Sequence, residues 1–376
     1  MAHNKSLSRA KSTKNDEFYT RLTDIEKELR HYRRHFKDKI VFCNCDDPFE
    51  SNFFRYFVMN FNRLKLKQLV CTCYAGSPVM GQQMTVADIL GKPDTPSDTP
   101  YKAIVNKVYD ITGDGAIDQD DIIELFRAGE NTLEELMEDG DFRSQECLDL
   151  LSECDIVCTN PPFSLFRSYI ALLMEYRKRF IIIGNQNVIT YRDFFPLLQN
   201  NFVWLGNNNP PPKLFYIPES ADRKNVVYDD DGNKMAVFGN ICWFTNLDIS
   251  RRHEDMILIR RYNPEDYPTY ANYNAIEVQK LSDIPFDYDG YMGVPLTFLN
   301  KYNPDQFEII GRSHDIDWAV NECPFFNPPD EAMAKSFKAY DNTWRVQIPY
   351  LLDEDGMPIN IYQRIFIRNK HPEEPR

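Results

Sequence analysis

The sequence predicts an α/β protein built on a doubly wound, Rossmann-like sheet. Three observations carry that prediction. Four short apolar runs have strand length: KIVFCNC (39–45), QLVCTC (68–73), DIVCTN (155–160) and FIIIGN (180–185). Apolar residues at helical spacing separate the first pair and the second pair, so each reads as a β-α-β unit. The first and third runs end in tight turns, Asp46-Asp47-Pro48 and Asn160-Pro161-Pro162, where an open sheet presents its ligands.

Taken in order, residues 1–15 are basic and poor in apolar groups, the composition of a disordered tail. Residues 22–37 place Leu22, Ile25, Leu29 and Tyr32 at helical spacing. Ser51 to Leu64 reads as a helix with Phe53, Phe54, Phe57 and Phe61 on its apolar side. Residues 76–100 are rich in Gly, Pro, Ser and Thr and read as a surface excursion. Residues 101–139 read as an insertion, and 163–177 as the helix after the third strand. Residues 202–246 hold three strand-like stretches, FVWLG, KLFYI and VFGNICWF, the last two joined by the acidic hinge DDDGN (229–233). Beyond about 250 the alternation of strand and helix fades. The expected organisation is a tail (1–15), a core (16–250) with an insertion at about 76–139, and a C-terminal region (251–376).

The 376 residues carry 57 acidic and 43 basic side chains, a net charge of −14. A general positive field for nucleic acid is excluded, so any such contact needs local patches. Lys5, Arg9, Lys11 and Lys14, then Arg30, Arg33, Arg34, Lys37 and Lys39, then Arg251, Arg252, Arg260 and Arg261 supply them. The nine cysteines, an odd number, sit mostly in apolar runs and read as reduced core residues rather than a disulfide framework. No apolar run approaches the ~20 residues of a membrane span, and the start lacks a signal-peptide core. A cytoplasmic protein with no membrane partner is expected.

Asn160-Pro161-Pro162-Phe163 carries the clearest chemistry. The Asn160 amide oxygen and the Pro161 carbonyl are both acceptors, able to hold the two hydrogens of an –NH₂ group. The prolines stiffen the turn, and Phe163 offers a face on which a base can stack. Two acceptors would draw a delocalised amino nitrogen toward tetrahedral geometry and localise its lone pair.

NPPF in this setting resembles the amino-methyltransferases of the class I fold. More narrowly, the chain resembles the EcoRI-type adenine-specific DNA methyltransferase family. The stretches that carry the likeness are NDEFYT (15–20), DIEKELRHYRRHF (24–36), CDDPFESNFFRYF (45–57), GDFRS (140–144), CTNPPF (158–163), NICWFTNL (240–247) and IPFDYDGYMGVPLTFLNKYNPDQFEIIG (284–311). The resemblance implies a class I methyltransferase sheet, S-adenosylmethionine as methyl donor and double-stranded DNA as substrate. The target adenine would be flipped out of the duplex, and residues 251–376 would choose the DNA sequence. Phe18, Tyr19 and Thr20 would be the N-terminal cofactor-contacting segment. Cys45, Asp46, Asp47 and Pro48 would form the first strand-turn of the cofactor site, with one aspartate facing the methionine amine. Asp141, beside Phe142, would face the cofactor's adenine, and Asn160 to Phe163 would hold the target. The implied protein works as a monomer, and a cognate restriction endonuclease acting on the same site is a candidate partner.

Two departures from the wider superfamily stand out. NCDDP replaces the usual Gly-rich first loop, and CTCYAG lacks the usual acidic residue for the ribose hydroxyls. NPPF chemistry also suits cytosine, RNA adenine or a glutamine side chain. A non-enzymatic alternative is a DNA-binding module with an inactive cofactor site.

One further stretch, residues 110–121, is similar to the twelve-residue calcium loop of an EF-hand. Asp110, Thr112, Asp114, Asp118 and Asp121 occupy ligand positions, and Gly115 sits at the sharp turn. Thr112 replaces an acid or amide, and Asp121 replaces the longer bidentate Glu. One structural calcium ion is the candidate occupant, against the alternative of an acidic turn that caps a helix.

Overall fold

All four apolar runs lie side by side in one eight-stranded sheet. The computed structural model describes residues 19–45, 51–73, 100–209, 213–217, 225–229, 232–313, 329–345 and 348–373. Two compact units result: Met1–Phe194 with Val203–Asp248, and Phe195–Phe202 with Ile249–Arg376. Among the described residues no helix is long and apolar enough to cross a membrane.

In chain order the strands of the first unit are β1 (Tyr19–Thr20), β2 (Ile40–Asn44), β3 (Gln68–Thr72), β4 (Tyr101–Val105), β5 (Thr132–Glu135) and β6 (Ile156–Thr159). They continue with β7 (Arg179–Asn185), β8 (Trp204–Leu205), β9 (Lys213–Tyr216), β10 (Val226–Tyr228), β11 (Lys234–Phe238) and β12 (Ile241–Thr245). Its longer helices are α1 (Leu22–Leu29), α2 (Asn52–Met59), α3 (Gln119–Arg127), α4 (Gln145–Glu153) and α5 (Phe166–Glu175).

The large sheet runs β5-β4-β3-β2-β6-β7-β12-β8. Its centre, β3-β2-β6-β7, is parallel, and antiparallel strands extend both edges. Central strands are buried on both faces, which is why they read as continuous apolar runs: Phe42, Val157, Ile181, Ile182, Ile183 and Trp243 are all fully buried. α2 starts because Ser51 caps it, its hydroxyl accepting from the Phe53 and Phe54 amides at 3.1 and 3.4 Å. Phe53, Phe54 and Phe57 are then buried together.

The segment from 100 onward within the expected insertion supplies β4 and β5 to the sheet edge. β4, which lies between β5 and β3, alternates buried and half-buried residues, one face better covered than the other. The part from 76 to 99 lies outside the described residues. The acidic hinge at 229–233 joins β10 to β11 rather than the two stretches expected. VFGNICWF also divides at Gly239-Asn240: β11 joins a smaller sheet, β1-β9-β11-β10, while β12 joins the large one.

The second unit contains β13 (Ala275–Glu277), β14 (Tyr291–Pro295), β15 (Phe307–Arg312), β16 (Tyr350–Leu352), β17 (Pro358–Asn360), β18 (Arg364–Asn369) and α6 (Glu331–Tyr340). β13-β14-β18-β15 form a four-stranded sheet, and β16 and β17 pair as a separate ribbon. A buried ion pair, Arg364 Nη2 to Glu277 Oε1 at 2.6 Å, lies within this unit, and Tyr270 donates its hydroxyl to the other Glu277 oxygen.

Candidate functional site

The connectivity places the site before any side chain does. From β2 the chain steps outward to β3, then later returns to the opposite side of β2 as β6. The carboxyl ends of β2 and β6 therefore flank a topological switch point, where open α/β sheets bind ligands. Asn44 ends β2 and Cys45 follows it. Thr159 ends β6 and Asn160 follows it.

Asn160 is half-buried, Pro161 buried, and Pro162 and Phe163 half-buried. The Leu165 amide donates to Pro162 O at 2.9 Å, turning the chain into α5. Cys45 is half-buried and takes a left-handed backbone, φ 64°, an uncommon conformation for a side-chain-bearing residue. Asp46, Asp47 and Pro48 lie outside the described residues, as does Phe18.

Tyr19 and Thr20 form β1, paired with Tyr216 and Phe215 of β9. Asn52, the first residue of α2, donates its side-chain amide to Thr20 O at 2.8 Å. The N-terminal segment is thus tied to the helix that follows Asp46 and Asp47 in the chain.

The Gly140-Asp141-Phe142 loop reaches the end of β3. Gly140 has φ +73°, and a Cβ there would lie 2.2 Å from the carbonyl oxygen of Cys73. The Asp141 carboxylate accepts from the Arg143 amide at 2.8 Å, its Nε at 2.7 Å and its Nη2 at 2.6 Å. The Arg143 guanidinium, with help from that amide, holds the Asp141 carboxyl below its ordinary value of 3.8, against an opposing desolvation. Phe142 is buried and meets Tyr169 edge to face, centroids 5.0 Å apart.

Tyr169, Thr159 and Asn44 also lie at this candidate site, though the sequence alone assigns them no role. The Tyr169 hydroxyl donates to Asn44 Oδ1, and the Thr159 hydroxyl donates to Asn44 O. The only sequence signal was adjacency, since Thr159 and Asn44 each sit one or two positions before a motif residue.

These positions suit the implied methyl donor chemically. A carboxylate with lone pairs beyond those used by Arg143 can accept from an adenine amine. The close approach of Gly140 to Cys73 brings that carboxylate's loop to the same sheet edge as Asn44 and Asn160.

Elsewhere in the first unit, the 110–121 loop brings Asp110, Asp114 and Asp121 together, one oxygen of each within 4.8 Å of the others. Asp121 Oδ1 accepts from the Ile111 and Thr112 amides and the Thr112 hydroxyl at 2.9, 3.0 and 3.0 Å. Asp118 is the N-cap of α3, in a capping box with Asp121. Thr112 Oγ1 also lies 3.4 Å from Asp110 Oδ1.

The basic patches are only partly open to a polyanion. Arg252 is buried and donates to Asn201 at 2.6 Å, a correction to its reading as a phosphate contact. Arg34 pairs with Asp248 at 2.9 Å, while Arg260 and Arg261 lie 3.7 and 3.5 Å from Asp283 and Asp287. The eight described cysteines are free thiols, and all but Cys45 are buried; Cys323 lies outside the described residues.

Comparison with known proteins supplies the family. A family model described as the adenine-specific methyltransferase EcoRI matches residues 6–370. The type II methyltransferase M.EcoRI of Escherichia coli is 43% identical over 334 residues, covering 86% of this chain and 95% of that protein. M.MpnI of Mycoplasma pneumoniae is 36% identical over 310 residues, 81% of this chain and 84% of that protein. M.MgeORF184P of Mycoplasma genitalium is 33% identical over 312 residues, 81% and 85%. No solved structure matches. With nearly the whole length matched, the chain belongs to the EcoRI family of adenine-specific methyltransferases.

Proposed function

We propose that this enzyme methylates the exocyclic amine of adenine in double-stranded DNA at a specific sequence, using S-adenosylmethionine. The observation that carries the reading is the position of Asn160-Pro161 at the carboxyl end of β6, beside the end of β2 at the switch point. The methyl donor, when bound, supplies an already activated sulfonium methyl.

The chain's own work is then positioning. Asn160 Oδ1 and Pro161 O accept from the target amine and orient its lone pair. Phe163 stacks on the base, at about 1–3 kcal/mol. On accepting the methyl that the bound donor would supply, the target amine would release a proton to solvent. In a duplex that nitrogen is paired, so the base is flipped out at a cost of a few kcal/mol. Tyr19, Thr20, Cys45, an aspartate of the 46–47 pair, Asp141 and Phe142 hold the donor. The second unit reads the DNA, and exposed arginines meet phosphates, which position without specifying. A cognate endonuclease of the same specificity is its natural partner, and the cytoplasm its place of work.

A structural role for calcium in the 110–121 loop belongs to this reading. Its support is the convergence of Asp110, Asp114 and Asp121, and methyl transfer itself needs no metal.

The test is transfer of labelled methyl to unmodified DNA and to RNA, with nucleoside analysis of the product. N6-methyladenine in DNA alone is expected; methylcytosine or a methylated RNA product overturns the substrate. Asn160→Ala should reduce transfer by at least about 100-fold, by analogy with removing one transition-state hydrogen bond. It should leave donor binding near normal. Near-normal turnover would remove Asn160 from its role.

A further inference from the structure

At the switch point the parallel ladder between β2 and β6 pairs Val41 with Ile156 and Phe42 with Val157, and stops. On either side the ladders run further, from Asn44 to Thr72 and from Thr159 to Ile182. Continued in register, Asn44 would have faced Thr159. In place of that backbone pairing, the Thr159 hydroxyl donates to the Asn44 carbonyl. From α5, the Tyr169 hydroxyl donates to the Asn44 side-chain oxygen. All three residues are buried: Thr159 and Tyr169 are 0% exposed and Asn44 1%. Asn44 Nδ2 has no hydrogen-bond partner among the described residues, so the Tyr169 hydroxyl is the only described hold on that side chain.

The chemistry of this arrangement is directional. Thr159 precedes Asn160, and Asn44 lies two residues before Asp46. α5 grows out of the Asn160 turn and carries Tyr169, whose ring also packs on Phe142 of the third candidate motif. The ladder stops at the strand ends where the proposed ligands would meet, and pairing no longer fixes Asn44 against Thr159. Two side-chain hydroxyls do so instead.

We propose that Thr159 and Tyr169 are positioning residues for methyl transfer, bracing the Asn160 turn against the end of β2 so that the target amine and the donor methyl are held in line. This inference rests on Asn160 receiving the amine. Removing a hydroxyl leaves the strand ends free to shift, and an error of about 1 Å in alignment can cost on the order of 100-fold in rate.

The experiment is single-turnover methyl transfer by the full chain, with tritiated S-adenosylmethionine and plasmid DNA from a strain lacking adenine methylation. Thr159→Val, Thr159→Ser, Tyr169→Phe and Asn160→Ala are compared with the parent, and donor affinity is measured by calorimetry. A merely structural role lowers the amplitude, which counts folded enzyme, and spares the rate constant. The brace predicts the opposite. Thr159→Val should lower the rate constant by about tenfold or more, with donor affinity within about threefold, and Thr159→Ser should restore it. Tyr169→Phe should lower the rate constant in the same sense, and it decides the matter if the valine variant does not fold. A rate constant within twofold of the parent in Thr159→Val or, failing that variant, in Tyr169→Phe overturns the brace; so does a serine variant no better than valine. If Asn160→Ala is inactive while those variants are normal, only the brace fails. If Asn160→Ala transfers normally, the site itself is misassigned and the brace falls with it.

Discussion

Replacing Gly140 with alanine tests how tightly the loop before Asp141 is held against the sheet. Gly140 has φ +73°, and the added Cβ would sit 2.2 Å from Cys73 O, 3.1 Å from Cys73 C and 3.2 Å from Pro100 Cβ. The Cys73 backbone cannot retreat easily: its amide donates to Tyr101 O at 3.2 Å, and the Tyr101 amide donates to Cys73 Sγ at 3.4 Å. Two costs add. The left-handed conformation costs an L-residue about 1–2 kcal/mol. Forcing a methyl into filled space costs about 1–3 kcal/mol more. Gly129 separates them, since it has φ +71° and nothing within 4 Å of the added Cβ. Urea unfolding should therefore show Gly129→Ala destabilised by about 1–2 kcal/mol and Gly140→Ala by about 2–5 kcal/mol. Donor affinity should fall only in the Gly140 variant, because only that loop carries Asp141. Equal destabilisation of the two variants would refute the close approach of loop and strand.

Three other outcomes are expected. Glu28 is fully buried and accepts from the Tyr32 hydroxyl at 2.8 Å and the Asn207 and Asn208 amides at 2.7 and 2.8 Å. Glu28→Gln turns one acceptor into a donor facing donors, so unfolding should show a loss of about 1–3 kcal/mol; no loss would mean the clamp is dispensable. Asp141 has a folded carboxyl held below 3.8 by Arg143, so its contribution is present above that value and lost as pH falls through the lower folded one. NMR titration of Arg143→Ala should move the carboxyl back up, and an unmoved titration would deny the pairing. Calcium should raise the melting temperature, by about 2.7 kcal/mol of stability at 100 times its dissociation constant. Asp110→Ala with Asp114→Ala should abolish that gain while sparing methyl transfer; a melting temperature indifferent to calcium and chelator in the parent would leave the loop an acidic turn.

Legibility in the sequence followed burial and sequence distance. β2, β3, β6 and β7 announce themselves because a parallel strand covered on both faces must be apolar throughout. β4 does not, because Tyr101–Val105 alternates buried and half-buried residues although it is paired on both sides. The hairpin is hard to read for another reason: Val226–Tyr228 is apolar but only three residues long, too short to stand out as a strand. VFGNICWF reads as one run because both its ends are apolar, yet Gly239-Asn240 sends them into different sheets. Arg252 shows its charge in the sequence but not its burial.

The candidate site is legible where its chemistry is contiguous and silent where it is assembled. Asn160 to Phe163 could be read because acceptor, stiff turn and aromatic face follow one another in four residues. The bonds from Asn44 to Thr159 and Tyr169 span 115 and 125 positions, and no local pattern encodes them. Threonine in a strand and tyrosine in a helix are ordinary choices on propensity alone. What would make them consequential is topology: β2 and β6 flank the point where the chain reverses its winding, where open α/β sheets bind ligands, and the ladder between them stops short there. A switch point therefore creates both the space for a ligand and the need for side chains to hold its walls in register. Residues that end the two flanking strands should then matter to rate even when they touch neither substrate.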